Sequence, residues 1–96
     1  MSGPPRRLVL MRFDTDQDAQ QVREAHTSFR SIPGVTCVEA VVSARVHGEV
    51  APYTHLSLFE FADAASRTAY HDHPVHLGAR DIVRGLARNV VVLDLG

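Results

Sequence analysis

The sequence predicts an α+β fold, in which four antiparallel strands form one sheet and the helices pack on one of its faces. The first observation behind this prediction is that four apolar segments of strand-like composition are separated by two helical regions. The second is their order, β-α-β-β-α-β, which is that of the split βαβ, or ferredoxin-like, arrangement. The third is the lack of a linker or internal repeat, so residues 1–96 are expected to form one domain with an ordered core over about 6–95.

The first third of the chain is predicted to contain a strand followed by a helix. Residues 6–13, RRLVLMRF, are rich in branched and long apolar side chains and are predicted as a strand. Residues 14–32 are predicted as a helix, because Thr15 or Asp16 can act as the N-cap and apolar residues follow at helical spacing. The Pro-Gly pair in 33–35 is expected to end this helix.

Two strands joined by a turn are predicted in the middle of the chain. Residues 35–46 are predicted as one long strand and residues 47–52 as the turn that follows it. Apolar residues alternate along this strand and are expected on one face: Val38, Ala40, Val42, Ala44 and Val46. Residues 53–61, YTHLSLFEF, alternate in the same way and are predicted as the third strand.

The last third of the chain is predicted to contain a broken helical region and a final strand. Residues 62–73 are predicted as a short helix that breaks at His73, because a residue before proline disfavours the helical conformation. Pro74 suits the first turn of a second helical piece, which is expected to run to about Arg88. Residues 89–95, NVVVLDL, are predicted as the fourth strand.

Apolar residues occur on both faces of the first and last predicted strands. In the first strand Leu8 and Leu10 alternate with Val9 and Met11, and residues 89–95 show the same pattern. Two helices cover only one face of four strands, and a face in contact with water should be mainly polar. A second copy of the chain is therefore expected to cover the other face, giving a two-fold homodimer. The alternative is a monomer that exposes several valines.

Composition and charge restrict the classes of function. The net charge is −1 and charged residues are scattered singly, which argues against nucleic acid or an anionic membrane surface as a partner. Cys37 is the single cysteine, so no internal disulfide is expected, and a cytoplasmic location fits. All ten basic residues are arginine, which excludes lysine Schiff-base chemistry and is typical of a GC-rich bacterial genome.

Residues 70–76, YHDHPVH, contain three of the six histidines and are the main candidate for a functional site. A catalytic zinc site usually has three protein ligands. The break at Pro74 makes the two helical pieces diverge, however, and the HExxH spacing is absent, so neither a metal nor another cofactor is predicted. A Tyr–His acid–base pair and a polar helix junction are the remaining interpretations.

The acid–base interpretation depends on Tyr70 and His76. His76 falls in the first turn of a helix, where the positive end of the helix dipole favours the neutral imidazole that a general base requires. Tyr70 lies one turn before the break, so its phenol is expected beside His76, where it can hydrogen-bond a developing oxyanion. His73 is expected to support this pair. In the structural alternative, His73 caps the helix and His76 is a satisfied, partly buried histidine.

Four further residues are candidates for lining a pocket, and each has a simpler structural explanation. His26 lies on the apolar face of the first helix and His55 lies within the third strand, where a lone histidine is more often a satisfied core residue. Arg7 and Arg80 are candidates for binding a carboxylate or phosphate, although an arginine in either position is more often a surface residue.

Several segments together resemble the dimeric α/β barrel, or stress-responsive A/B barrel (Dabb), family. They are LVLMRF, IPGV, YTHLSLFEF, AYHDHPVH and VVVLDL, and the resemblance extends from about Arg6 to Leu95. Its most specific part is the Tyr-x-x-His-Pro-x-His string, here Tyr70, His73, Pro74 and His76. The resemblance implies a ferredoxin-like protomer and a homodimer whose eight strands form a barrel.

The same resemblance implies an activity like that of olivetolic acid cyclase-type polyketide cyclases. These enzymes form a ring by aldol condensation without a cofactor, using a tyrosine and a histidine that match Tyr70 and His76, and their strand histidine matches His55. This chain differs from them at Arg7, where they have histidine, and at Arg80, where they have glycine. A non-catalytic protein that binds a small hydrophobic ligand, or a stress-response protein, is the alternative.

Overall fold

The computed structural model describes residues 3–45, 47 and 52–96. The elements are β1 (Arg6–Phe13), α1 (Asp16–Thr27), a 3-10 helix (Ser28–Ser31), β2 (Val35–Ser43), β3 (His55–Phe61), α2 (Ala64–Asp72), α3 (Pro74–Leu86) and β4 (Ala87–Leu95). The strands form one sheet in the order β2-β3-β1-β4, and every neighbouring pair is antiparallel. The predicted ferredoxin-like α+β fold is therefore confirmed.

Several predicted elements differ from the structure at their ends. Strand β2 ends at Ser43 and β3 begins at His55, so both are shorter than predicted, whereas β4 begins two residues earlier, at Ala87. The first helix ends at Thr27 and continues as the 3-10 helix, whereas a single helix to residue 32 was expected. The predicted break at Pro74 is present, because His73 has an extended backbone and separates α2 from α3. The predicted turn, apart from residues 47 and 52, lies outside the described residues, as does Val46. None of the described helices is long and apolar enough to cross a bilayer.

Strand β2 does not have the single apolar face that its sequence alternation predicts. The pairing of β2 with β3 shifts between Glu39 and Val42, and Val41 has a positive φ of 50°. A β-bulge adds one residue to a strand and so reverses the faces beyond it. As a result Val38 and Val41 are buried, whereas Val42 is 39% exposed. The backbone N–H of Val41 donates to Ser57 Oγ at 2.9 Å, which holds the bulge in place.

The hydrophobic core lies between the helices and one face of the sheet. Val9 and Met11 point to this side from β1, and Phe59 and Phe61 point to it from β3. The helical layer contributes four of the other large core residues: Val22, Phe29, Tyr70 and Val83. Burial of each large apolar side chain contributes roughly 1.5–3 kcal/mol. The odd-numbered residues of β1 therefore face the helices.

The opposite face of the sheet is apolar and carries no helix among the described residues. Leu8 lies between Leu58 and Leu93, and Leu10 lies between Leu56 and Val91. We call these six residues the open sheet face: Leu8, Leu10, Leu56, Leu58, Val91 and Leu93. Leu93 is 44% exposed, and the other five are partly buried. Both faces of the sheet are thus apolar, as the sequence predicts.

Polar caps and one glycine position the helices over the sheet. Thr15 accepts the N–H of Asp18 at 3.0 Å, which confirms it as the N-cap of α1. Asp63 caps α2 in the same way through the N–H of Ser66 at 2.7 Å. Gly34 has φ +86°, and a Cβ atom there would lie 2.5 Å from the Cβ of Ser66. Glycine is therefore required where this turn meets α2.

Candidate active site

A cavity of about 440 Å³ lies between the helical layer and the sheet. Its apolar walls are formed by Val9, Phe29, Phe59, Val83, Val90 and Val92, and its polar walls by Arg7, His26, Tyr70, His71, His76, Arg80 and Arg84. This volume falls within the roughly 300–1,000 Å³ that is usual for small-molecule pockets. The polar groups converge on one apolar space, which is the usual composition of a ligand site.

Five of the seven residues singled out in the sequence line this cavity. Tyr70 and His76 lie side by side across the helix break, with ring centroids 4.2 Å apart. His26 reaches the cavity from α1, Arg7 from the start of β1 and Arg80 from the middle of α3. The fold therefore brings together side chains that are up to 73 positions apart, from Arg7 to Arg80.

His73, which was expected to support the pair, lies outside the cavity lining. Its Nδ1 accepts the backbone N–H of Val75 at 3.2 Å, so His73 is the N-cap of α3. An N-cap needs an extended backbone and a side-chain acceptor, and a residue before proline already has the first. The observed contacts of His73 are thus structural ones.

His55 does not reach the cavity either, although it lies on the helix side of β3. Its Nδ1 shares a 2.8 Å hydrogen bond with Thr54 Oγ1, and its ring packs edge-to-face on Phe13 at 5.3 Å. Four positions separate His55 from Phe59, which is about 13 Å along a strand. The alternation of β3 therefore predicts the correct face of the sheet for His55. It does not give the position along the strand, and His55 lies at the end of β3 away from the cavity.

Tyr70 is buried in an aromatic cluster that fixes the plane of its ring. Its ring centroid lies 5.3 Å from that of Phe29 and 5.1 Å from that of Phe61. Burial raises the pKa of the phenol to about 12, and the nearby Arg7 guanidinium only partly opposes this rise. Tyr70 is therefore protonated at neutral pH and serves as a hydrogen-bond donor rather than as a phenolate.

His76 is held in one tautomer by the backbone of α2. Its Nδ1 lies 3.0 Å from the carbonyl oxygen of His71. Because a carbonyl only accepts, Nδ1 carries the proton and Nε2 keeps a free lone pair in the neutral ring. Burial lowers the pKa of His76 and the hydrogen bond to the carbonyl partly opposes this, while the positive charges of Arg7 and Arg80 lower it further. The imidazole is thus neutral at pH 7.

Arg7 is buried and is already paired within the protein. Its Nε donates to Asp94 Oδ1 at 2.7 Å and its Nη2 donates to Asp94 Oδ2 at 3.1 Å. Nη2 also donates to His71 Nε2 at 2.7 Å, so that nitrogen of His71 carries no proton in this arrangement. The guanidinium lies 5.5 Å from the centre of the Tyr70 ring. Asp94 therefore engages Nε and Nη2 of Arg7, and the binding of a ligand carboxylate by Arg7 stays a prediction.

His26 is a buried, uncharged histidine at the inner end of the cavity. It is 3% exposed, and its Nδ1 shares a 2.7 Å hydrogen bond with Ser57 Oγ. Burial, with a smaller contribution from His76, lowers the pKa of His26 to about 4. Because Ser57 also accepts the N–H of Val41, His26 is linked to the β2 bulge as well as to the cavity.

Three polar residues of the site were not selected from the sequence, and they are His71, Arg84 and Asp94. Arg84 left a signal there, because His76, Arg80 and Arg84 are spaced by four residues and a helix places all three on one face. Asp94 left none, because its position opposite Arg7 depends on the pairing of β4 with β1. His71 lines the cavity beside Tyr70, which its spacing did not indicate.

Within residues 3–45, 47 and 52–96, no group of three or more His, Cys, Asp or Glu side chains is arranged to hold a metal ion. One ring nitrogen of each histidine in the cluster has a hydrogen-bond partner within the protein. His73 caps a helix, His71 accepts from Arg7, and Nδ1 of His76 donates to a carbonyl. The observed contacts of these three histidines are therefore hydrogen bonds within the protein.

Comparison with known families identifies the family of this chain. The family model of the stress-responsive A/B barrel domain, Dabb, matches residues 6–96. The chain belongs to the Dabb family. No protein of curated function has significant sequence similarity to it. The predicted resemblance to this family is thus confirmed.

Several solved structures share the Dabb fold of this chain. One is a dimeric ferredoxin-like protein of unknown function from Jannaschia sp. CCS1, with 22% identity, a TM-score of 0.80 and coverage of 98% of this chain and 99% of that one. Another is the hydroxynitrile lyase of Passiflora edulis, with 16% identity, a TM-score of 0.76 and coverage of 98% and 93%. A third is SnoaB, a cofactor-independent oxygenase from Streptomyces nogalater, with 11% identity, a TM-score of 0.71 and coverage of 98% and 93%. At such identities the likeness establishes the fold alone, and the two named activities differ.

Proposed function

We propose that this Dabb protein is a cofactor-independent enzyme that uses Tyr70 and His76 as an acid–base pair on a β-carbonyl substrate. The observation that carries the proposal is the hydrogen bond from Nδ1 of His76 to the His71 carbonyl, which leaves Nε2 as a free base at the cavity. A neutral base next to a protonated phenol is the combination needed to remove a proton beside a carbonyl group.

The proposed reaction is an aldol-type cyclisation like that of polyketide cyclases. Nε2 of His76 takes a proton from the carbon between two carbonyl groups, and the Tyr70 hydroxyl donates a hydrogen bond to the enolate oxygen that forms. The carbanion then attacks a third, more distant carbonyl carbon of the same molecule, which forms a carbon–carbon bond and an alkoxide. The alkoxide takes the proton back from His76, so the side chains return to their starting states. The substrate therefore needs at least three carbonyl groups and an apolar body.

Three variants test this proposal with a poly-β-keto thioester as substrate. His76→Ala is expected to lower turnover by about 10²- to 10⁴-fold, the usual contribution of a positioned base. Tyr70→Phe is expected to lower it by a comparable or smaller factor, because it removes one donor to the oxyanion. His47→Ala is the control and should leave turnover unchanged, since His47 is exposed and does not line the cavity. A folded His76→Ala protein with wild-type turnover would exclude the catalytic role.

A non-catalytic ligand-binding or stress-response protein is the second candidate, because the apolar walls of the cavity suit a small hydrophobic ligand whether or not it reacts. In that case His76→Ala changes ligand affinity or the thermal midpoint and leaves no reaction to slow. Incubation of the protein with candidate β-carbonyl compounds, followed by product analysis, separates the two candidates.

We also propose that the activity requires no metal ion. The support is that one imidazole nitrogen in each of His71, His73 and His76 has a protein hydrogen-bond partner, and that no three or more potential ligands among the described residues are arranged around one point. Treatment with EDTA followed by gel filtration is expected to leave turnover or ligand binding within about twofold of the untreated protein. Loss of activity that zinc restores would contradict this proposal.

The proposed assembly is a two-fold homodimer in which the open sheet faces of two protomers pack together. Its support is the row of apolar side chains on a sheet face that no described helix covers. A structural neighbour in Jannaschia is itself described as dimeric. Packing of two four-stranded sheets in this way gives an eight-stranded barrel with both cavities on the outer, helical side.

A further inference from the structure

The polar wall of the cavity contains arginines and no carboxylate. Three arginines and three histidines line it, and none of its lining residues is an aspartate or a glutamate. Arg7 differs from the other two arginines because Asp94 neutralises it through two hydrogen bonds. The net charge of the whole chain is only −1, so this local excess of positive charge is not a reflection of overall composition.

Arg80 and Arg84 have no such partner. Both are exposed, and neither forms a hydrogen bond or ion pair with any other residue in the part of the chain that the structure describes. They are separated by one helical turn, so their charges repel each other along one face of α3. Arg80 also lies near enough to His76 to lower the pKa of that imidazole. The two guanidinium groups therefore provide uncompensated positive charge at the cavity.

The apolar walls lie beside this charged pair. Phe29 and Phe59 are buried at the back of the cavity, whereas Val92 on β4 is 51% exposed. An exposed valine in a pocket wall loses its contact with water when an apolar ligand binds against it. The cavity thus combines an apolar surface with two unpaired cations on one helix.

We propose that Arg80 and Arg84 form an anion subsite, and that the ligand of this cavity is amphiphilic, with an apolar body against β4 and one carboxylate or phosphate group at these two arginines. The planar guanidinium group binds either anion through paired hydrogen bonds. This inference rests on the proposed function in one respect, namely that substrate and product occupy this cavity. It adds that one of the two is an anion.

Three probes of the same shape test the anion subsite by calorimetry, without turnover. They are 4-pentylbenzoate, 4-pentylphenyl phosphate and the uncharged 4-pentylbenzamide. The wild-type protein is expected to bind at least one anion about tenfold more tightly than the amide at low salt, and the tighter anion identifies the group that the subsite takes. Equal affinity for all three probes, or no binding of either anion at millimolar concentration, would overturn the proposal.

The double variant Arg80→Gln/Arg84→Gln locates the effect. It is expected to bind the anions and the amide within about twofold of each other, with the affinity for the amide unchanged. Arg12→Gln/Arg88→Gln is the matched control, since it removes the same charge from two arginines that pair with Asp14 outside the cavity. This control should keep the tenfold preference. An anion preference that survives in Arg80→Gln/Arg84→Gln would overturn the assignment.

A third variant separates this inference from the proposed reaction. His76→Ala keeps both arginines, so the preference for the anion should remain even if turnover is lost. If His76→Ala has wild-type turnover while the anion preference persists, the acid–base proposal fails and the subsite stands. If turnover falls but wild-type protein binds acid and amide equally, the subsite fails and the acid–base proposal stands.

Discussion

At the scale of single residues, the two ionisable groups of the proposed pair are shifted away from their charged forms. Burial raises the pKa of Tyr70 to about 12 and lowers that of His76. For the tyrosine, the neutral form is the useful one, since a phenol donates a hydrogen bond and a phenolate cannot. For the histidine, the neutral form has the lone pair that accepts a proton. One cause, removal from water, therefore prepares both groups for neutral pH.

The shift of His76 predicts how activity depends on pH. Because only the neutral imidazole acts as a base, kcat/KM should fall on acidification with a midpoint below the usual histidine value of 6.5. Arg80→Gln should move this midpoint to higher pH, since the charge of Arg80 helps to lower the pKa of His76. Arg88→Gln, outside the cavity, should leave it unchanged. A midpoint at or above 6.5 in the wild-type protein would contradict the assignment of His76 as the base.

The shift of His26 predicts how stability depends on pH. The unfolded chain keeps a histidine pKa near 6.5, whereas the folded value is about 4. Between these values the unfolded chain binds more protons, so the free energy of unfolding should fall as pH is lowered through this window. The contribution of His26 is on the order of 3 kcal/mol. Urea unfolding at fixed protein concentration should show a smaller fall for His26→Gln than for the wild type, and an unchanged fall for the exposed His47→Gln.

At the scale of secondary structure, the helix break around Pro74 determines the geometry of the site. It ends α2 just after Tyr70 and His71 and begins α3 just before His76, so three polar side chains converge from two helices. His73 stabilises this break as an N-cap and takes no part in lining the cavity. The Tyr-x-x-His-Pro-x-His string therefore contains a structural histidine and a proposed catalytic one.

His73→Ala is expected to lower the free energy of unfolding by about 1 kcal/mol, because it removes the cap of α3. Turnover by the folded variant should stay within about threefold of the wild type. His73→Asn should restore most of the stability, since asparagine is a good N-cap. Urea unfolding and steady-state kinetics on the same samples check both parts. A large loss of turnover at unchanged stability would instead place His73 in the chemistry.

The elements that the sequence predicted correctly are those with local causes. The strand over 6–13 and the break at Pro74 follow from side chains within a few positions of each other. The bulge in β2 was missed because its cause is distant in sequence, namely the hydroxyl of Ser57 on the neighbouring strand. Asp94 was missed for the same reason, as its partner Arg7 is 87 positions away. Spacing alone already places Arg84 with His76, so that residue was available to sequence analysis.

At the scale of the whole molecule, β4 connects the cavity to the proposed dimer interface. Alternate residues of this strand point to opposite faces of the sheet. Val90 and Val92 line the cavity, whereas Val91 and Leu93 belong to the open sheet face. One face of β4 thus forms a wall of the cavity, and its opposite face belongs to the surface on which the second protomer would pack. Dimerisation is expected to stabilise this outer strand and, through it, the ligand site.

Leu93→Glu is expected to convert the homodimer into a monomer. Leu93 is 44% exposed in the protomer, so a glutamate there is tolerated by a single chain but is strongly unfavourable between two packed sheets. Ile82→Glu is the matched control, because Ile82 is 43% exposed on α3, in the helical layer. Size-exclusion chromatography with light scattering should give twice the chain mass of 10.6 kDa for the wild type and for Ile82→Glu, and 10.6 kDa for Leu93→Glu. A monomeric wild type at micromolar concentration would contradict the barrel, and the apolar face would then be a solvent-exposed surface of a single protomer.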